Sequence, residues 1–298
     1  MELSFSTKLR IAAAAAVGVI LIGILAWPLA KPDEPFGAVR PGNFDLAGTA
    51  ILLGLAFASG LVGYFVSWPY GREIGILAVP SGLAIWAVRT GNMASQVQLN
   101  PTIEQREALL AGLKWEPLFW LAIVAVGFVG VLCGQMIRST PTLAHVEEKP
   151  KFKSNTRLNA AIAVVASLLI AHFSLGRLAQ DIQMADGALG SVLSQPAIAQ
   201  IVFGVVVAFG LAAFLVKNLL DAGYVWPIIA TALVTPFAIT AYVKPNVLDR
   251  LAESWPPVFF SNTTAAIMPV QIVAFGTIGA IAGYWMGIRY DFWRKHEI

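Results

Sequence analysis

Long uncharged apolar runs alternate with short charged segments along the whole chain. Eight of these runs approach spanning length, at residues 11–29, 46–67, 73–89, 117–137, 158–176, 197–216, 225–243 and 266–288. A helix rising 1.5 Å per residue needs about 20 residues to cross a hydrocarbon core about 30 Å thick. The pattern predicts an all-α fold, a polytopic transmembrane helical bundle of about eight spans. The third run is short: Ile74 to Val88 would reach only about 22 Å at that rise. Either Glu73 and Arg89 sit at the interfaces, or the helix is locally broken. Lys8 and Arg10 before the first run resemble the start of a signal peptide, but Trp27-Pro28-Leu29-Ala30-Lys31-Pro32 offers no small-x-small cleavage site. The run is therefore read as a helix.

The runs repeat in order. In the second span of each half, Gly60-Leu61-Val62-Gly63-Tyr64-Phe65-Val66 parallels Gly210-Leu211-Ala212-Ala213-Phe214-Leu215-Val216. The third carries an interior proline, Pro80 or Pro236, and a polar segment follows it. The fourth opens with Glu116-Pro117 or Met268-Pro269 and closes with Ile137-Arg138 or Ile288-Arg289. This order predicts two four-helix membrane repeats, 1–138 and 158–298, joined by a cytoplasmic linker over 139–157. Four spans per unit insert both copies in one orientation, a parallel repeat.

The polar segments have their own periodicity. Thr102-Ile103-Glu104-Gln105 has capping-box spacing and predicts a helix to about Leu113. Leu248, Leu251 and Trp255 fall on one face of a second short amphipathic helix. Such helices lie on a leaflet, cap a bundle or dock a partner.

Composition supports the membrane reading. Hydrophobic residues make up 57% and charged ones 12% of the 298 residues, about half the charge that clothes a soluble domain. The net charge is +3, but Lys and Arg flank apolar runs without interleaved exposed aromatics, which excludes nucleic acid as the expected partner. With the N-terminus inside, 12 of the 20 basic residues fall on the cytoplasmic side, the densest cluster being Lys149 to Arg157. Both termini are then cytoplasmic. Tryptophans fall near span ends in this arrangement, at headgroup level. Alanine and glycine richness with short loops fits a bacterial inner membrane. Asn262-Thr263-Thr264 matches a glycosylation acceptor, a triplet common by chance.

Candidate chemistry is sparse. No Asp, Glu, Lys or Arg lies in the middle of a span, which argues against a proton-coupled carrier. Cys133 is the only cysteine, so no intrachain disulfide or cysteine-based metal site is possible. His172 is the only intramembrane histidine, and a bis-histidine haem would need a second; His145 and His296 lie in polar segments. His172 is therefore read as a packing histidine. Neither a zinc motif nor a P-loop, dinucleotide fingerprint or nucleophile elbow is present, and no cofactor is expected. Pro80 and Pro236 each free a backbone carbonyl, which is filled by packing or lines a cavity. With His172 they are the candidates for a substrate path. Gly130-x-x-x-Gly134 and Gly279-x-x-x-Gly283-x-x-x-Gly287 place small residues on one helix face and predict close packing, within the chain or with another subunit.

The expected function is a membrane scaffold or non-catalytic subunit of a larger assembly, partnered by lipid and by other membrane subunits. The alternative is a permease or channel for a neutral or weakly polar solute, with its site between the repeats. Third comes an intramembrane enzyme or haem-binding subunit, for which no catalytic pair can be named.

Overall fold

The computed structural model describes residues 4–34, 36–139 and 156–296. Nearly all of the linker expected over 139–157 lies outside them, as does His145. Among the described residues, eight helices are long and apolar enough to cross a membrane, from Phe5–Leu25 to Pro269–Lys295. The chain is an integral membrane helical protein.

The long helices are α1 (Phe5–Gly18), α2 (Leu46–Val66), α3 (Ala78–Arg89), α5 (Glu116–Ile137), α6 (Thr156–Leu178), α7 (Ile198–Leu220), α8 (Val225–Tyr242) and α10 (Pro269–His296). Between them lie the short helices α4 (Ile103–Leu113) and α9 (Pro245–Ser254), of which α9 is amphipathic. α1 continues as a π-helical stretch, Val19–Leu25. The short third run is helical from Gly71 to Arg89, where a 3-10 turn at Gly75–Leu77 joins the four-residue helix Gly71–Ile74 to α3. Helix starts follow local chemistry. Asp45 caps α2 by accepting the Gly48 amide at 2.6 Å. Thr102 and Gln105 close the capping box of α4 at 3.3 and 3.2 Å.

One correction to the all-α expectation follows. A three-stranded antiparallel sheet joins β1 (Gln183–Asp186), β2 (Gly190–Ser194) and β3 (Phe259–Phe260) in that order. Asp186 pairs with Gly190 across a three-residue loop, and Gly190 has φ +76°. That left-handed position is open to glycine at no steric cost, and it closes the hairpin.

The described chain divides into two compact units. The first comprises 1–30, 44–86 and 122–162. Within it, a Cβ on Gly18 would overlap the Ala78 carbonyl, and one on Gly60 the Gly127 carbonyl. Gly130 stands against the Phe57 carbonyl, and Gly134 faces the Tyr64 ring, 2.8 Å from where its Cβ would lie. The Tyr64 hydroxyl then donates to the Arg138 carbonyl at 2.5 Å. The Arg138 guanidinium lies 3.9 Å from the centre of the Trp68 ring, a cation–π contact of the kind suited to headgroup depth.

The second unit comprises 31–43, 87–121 and 163–298. Its most enclosed span is α10, with 67% of its spanning window buried. α10 runs along α7 through glycines: Gly279 meets the Val206 carbonyl, Gly283 the Gly210 carbonyl, and Gly287 the Lys217 side chain. All five stripe glycines are thus used within the chain, where hydrocarbon supplies no hydrophobic drive and close backbone approach supplies dispersion instead.

Gly283→Ala is expected to destabilise the detergent-solubilised protein by about 1–3 kcal/mol, the usual cost of overpacking a filled interface. Gly54→Ala, where nothing lies within 4 Å of the added carbon, should not. Thermal unfolding followed by circular dichroism compares them, and equal loss at both positions would mean that α7 and α10 do not meet at Gly283.

Candidate functional site

The second unit contains the connections after the first, third, fifth and seventh spans. They are tied together by side chains. Arg40 Nε donates to Glu116 Oε1 at 2.6 Å. The Val39 amide donates to Thr90 Oγ1 at 2.8 Å. Gln195 accepts from the Ala94 amide and donates to the Ala266 carbonyl, both at 3.0 Å. Gln271, buried in the first turn of α10, donates to the Ala87 carbonyl at 3.1 Å. Apart from the Arg40–Glu116 pair, each of these bonds satisfies a backbone group.

Asp186 is the most connected of these residues. Its Oδ1 accepts the amides of Ala188 and Leu189, both at 2.8 Å, which shapes the hairpin loop. Its Oδ2 accepts Trp255 Nε1 at 2.8 Å and Arg250 Nη2 at 3.2 Å, which fastens the hairpin to α9. These donors, the Trp255 indole first, hold its carboxyl well below the usual aspartate range.

Between α4 and α9 lies a small cleft, partly open to its surroundings. Leu109 and Leu110 come from α4, Leu248 and Leu251 from α9, and Phe259 and Phe260 from β3. Arg106 and Ser261 are its polar lining. Arg106 Nε donates to the Asn100 carbonyl at 3.1 Å, and the Ser261 hydroxyl to the Tyr242 carbonyl at 3.2 Å. The amphipathic face of α9 presents Leu248 and Leu251 to the cleft, and Leu109 and Leu110 from the second half of α4 face them across it.

His172 lies beside this region, 5% exposed. Its Nε2 is 3.2 Å from the Tyr242 hydroxyl and its Nδ1 is 3.4 Å from Thr264 Oγ1. The Tyr242 ring stacks on it at 5.3 Å, and Phe237 meets it edge-on at 5.1 Å. Both ring nitrogens face hydroxyls, so the imidazole is held as a packed, hydrogen-bonded group. Among the described residues no three His, Cys, Asp or Glu side chains gather as metal ligands.

The other substrate-path candidates differ in setting. Pro80 is buried at the third position of α3, just after the 3-10 turn, within the first unit. Pro236 sits half-buried inside the uninterrupted α8, next to the Phe237 that touches His172. Sequence reasoning missed Asp186, Gln195, Gln271 and Arg106. Asp186-Gly187 was a readable turn signal, whereas nothing local marks the distant partners of the two glutamines.

No family model, curated protein or solved structure matches the chain.

Because the folded Asp186 carboxyl titrates below its unfolded value, its contribution to stability is full above about pH 4. It is lost only as pH falls from there through the depressed folded value. The difference in melting temperature between the parent and Asp186→Asn should therefore stay constant from pH 7 to about 4.5 and shrink below. A difference that already shrinks between pH 7 and 5 would contradict the Asp186–Trp255–Arg250 geometry.

Proposed function

We propose that the chain is a non-catalytic subunit, or scaffold, of a larger membrane assembly. The observation that carries this reading is the set of connecting segments latched to one another over as many as 101 residues of sequence. Ordering loops costs roughly 1–2 kcal/mol of backbone entropy per residue. That cost is reasonable for a surface that must be presented in one shape. The stripe glycines are occupied within the chain, so the partner is met through the loop face and the lipid-facing side chains.

The placement proposed is a bacterial inner membrane with both termini cytoplasmic, which puts the latched loop face on the opposite side. The halves 1–138 and 158–298 are proposed as parallel repeats. Support comes from packing, since glycine-to-glycine contact joins the second and fourth spans in each half, through Gly60 and Gly127 and through Gly210 and Gly283.

A second reading, a permease for a neutral solute, draws on α8. There the mid-helix Pro236 follows Thr235, whose hydroxyl is buried with no hydrogen-bond partner among the described residues, and such a hydroxyl beside a helix proline suits a solute path.

Purification in mild detergent should recover stoichiometric partner proteins with the chain. A monodisperse lone chain that takes up neutral solutes in proteoliposomes, with uptake slowed by Pro236→Ala, would replace the first reading by the second. Orientation is checked with Gly187→Cys in a Cys133→Ser background, Gly187 having open space around it. A membrane-impermeant maleimide should label it on intact spheroplasts; labelling only after lysis would invert the topology.

A further inference from the structure

The cleft between α4 and α9 has a chemistry that the subunit reading does not use. Its walls are leucine, proline and phenylalanine, and its lining carries a single charge, Arg106. Arg40 and Arg250 in the connecting segments are committed, to Glu116 and to Asp186. Arg106 pairs with no carboxylate among the described residues. Its Nε is fixed by the Asn100 carbonyl, which orients the guanidinium and leaves its Nη donors for an anion.

Position in the chain narrows the occupant. Val243 follows the last residue of α8, Ala265 lies four residues before α10, and Leu110 six residues before α5. Ends of spans sit at headgroup depth, where apolar chains and their polar heads part company. An apolar slot with one cation at that depth matches a molecule with one apolar tail and one anionic head. The walls are also held in place. Tyr242 and Thr264 bond to His172 while their chain neighbours Val243 and Ala265 line the cleft. Ser261, itself in the lining, bonds back to Tyr242. A site shaped before its ligand arrives loses less entropy on binding.

We propose that this cleft binds a long-chain fatty acid drawn from the bilayer, its tail between α4 and α9 and its carboxylate on the Arg106 guanidinium. The pairing is a charge-assisted, fork-to-carboxylate hydrogen bond. It does not depend on the subunit reading, because binding is measured on the chain alone.

The test uses the full chain in phosphatidylcholine nanodiscs, titrated with tritiated oleate in a scintillation-proximity format, with empty nanodiscs as background. Saturable binding of one oleate per chain is expected. Arg106→Gln should weaken oleate by about tenfold or more while leaving oleyl alcohol unchanged. Leu110→Trp, which fills the slot from a half-buried position, should abolish both. Circular dichroism confirms that each variant is folded, and either variant alone still tests the site. Oleate binding no greater than in empty nanodiscs, or undiminished in both variants, overturns the proposal. So does a dimer in nanodiscs that Leu110→Trp dissociates, since the cleft would then belong to a second copy of the chain.

Discussion

Hydrocarbon offers no hydrogen bonds to a polypeptide, and every other feature of this protein is arranged around that constraint. A backbone group left unpaired in lipid costs several kcal/mol, so the apolar runs have to be helices. Lipid tails are as apolar as leucine, so burying leucine against leucine gains little there. What gains is close approach of backbones, and glycine is the residue that permits it. Gly60 against Gly127 and Gly210 against Gly283 are contacts that no side chain could enter. The same logic explains why Gly54, with open space around it, needs no such partner.

Where the chain leaves the hydrocarbon the constraint relaxes, and polar side chains take over the work that helices do inside. Asp186 accepts four hydrogen bonds from a loop, an indole and a guanidinium, which is the full capacity of an ionised carboxylate. Glu116 is treated differently. One of its oxygens holds Arg40, and the other is buried with no partner among the described residues. Desolvating such a pair offsets most of its Coulomb attraction, so its worth lies in fixing where residues 31–43 meet the start of α5 rather than in stability. The two carboxylates show the same device at two levels of completion.

The spans were legible because periodicity and length are local properties. The shortness of the run from Ile74 to Val88 left open a local break, where a 3-10 turn stands at Gly75–Leu77, and Thr102 with Gln105 announced α4. The hairpin was less legible. Asp186-Gly187 carries a turn signal, but the flanking Met184, Ala185 and Val192 alternate too weakly to compete with helical neighbours. The π-helical stretch Val19–Leu25 has no compositional mark at all, since its apolar residues would serve an α-helix equally. Glycine stripes tell which face packs, yet not against what. Only coordinates could show that Gly279 meets Val206 and that Gln195 reaches from Ala94 to Ala266. The cleft was half visible: Leu248 and Leu251 of α9 were readable as an apolar face, while their pairing with the leucines of α4 across more than 130 residues of sequence was not.

That division says where function can reside in such a chain. The spans hold no charged group at mid-bilayer, and their one histidine is occupied at both nitrogens by Tyr242 and Thr264. A ligand or partner needs groups that are oriented but not yet satisfied. In the second unit those groups gather where α4, α9 and β3 converge, with Arg106 held at Nε and free of any described carboxylate. The residues that brace this place, Asp186, Ser261 and His172, each spend their hydrogen bonds on the protein. A binding surface built this way separates the groups that hold shape from the group that recognises. Its specificity then depends on one cation and the apolar walls beside it.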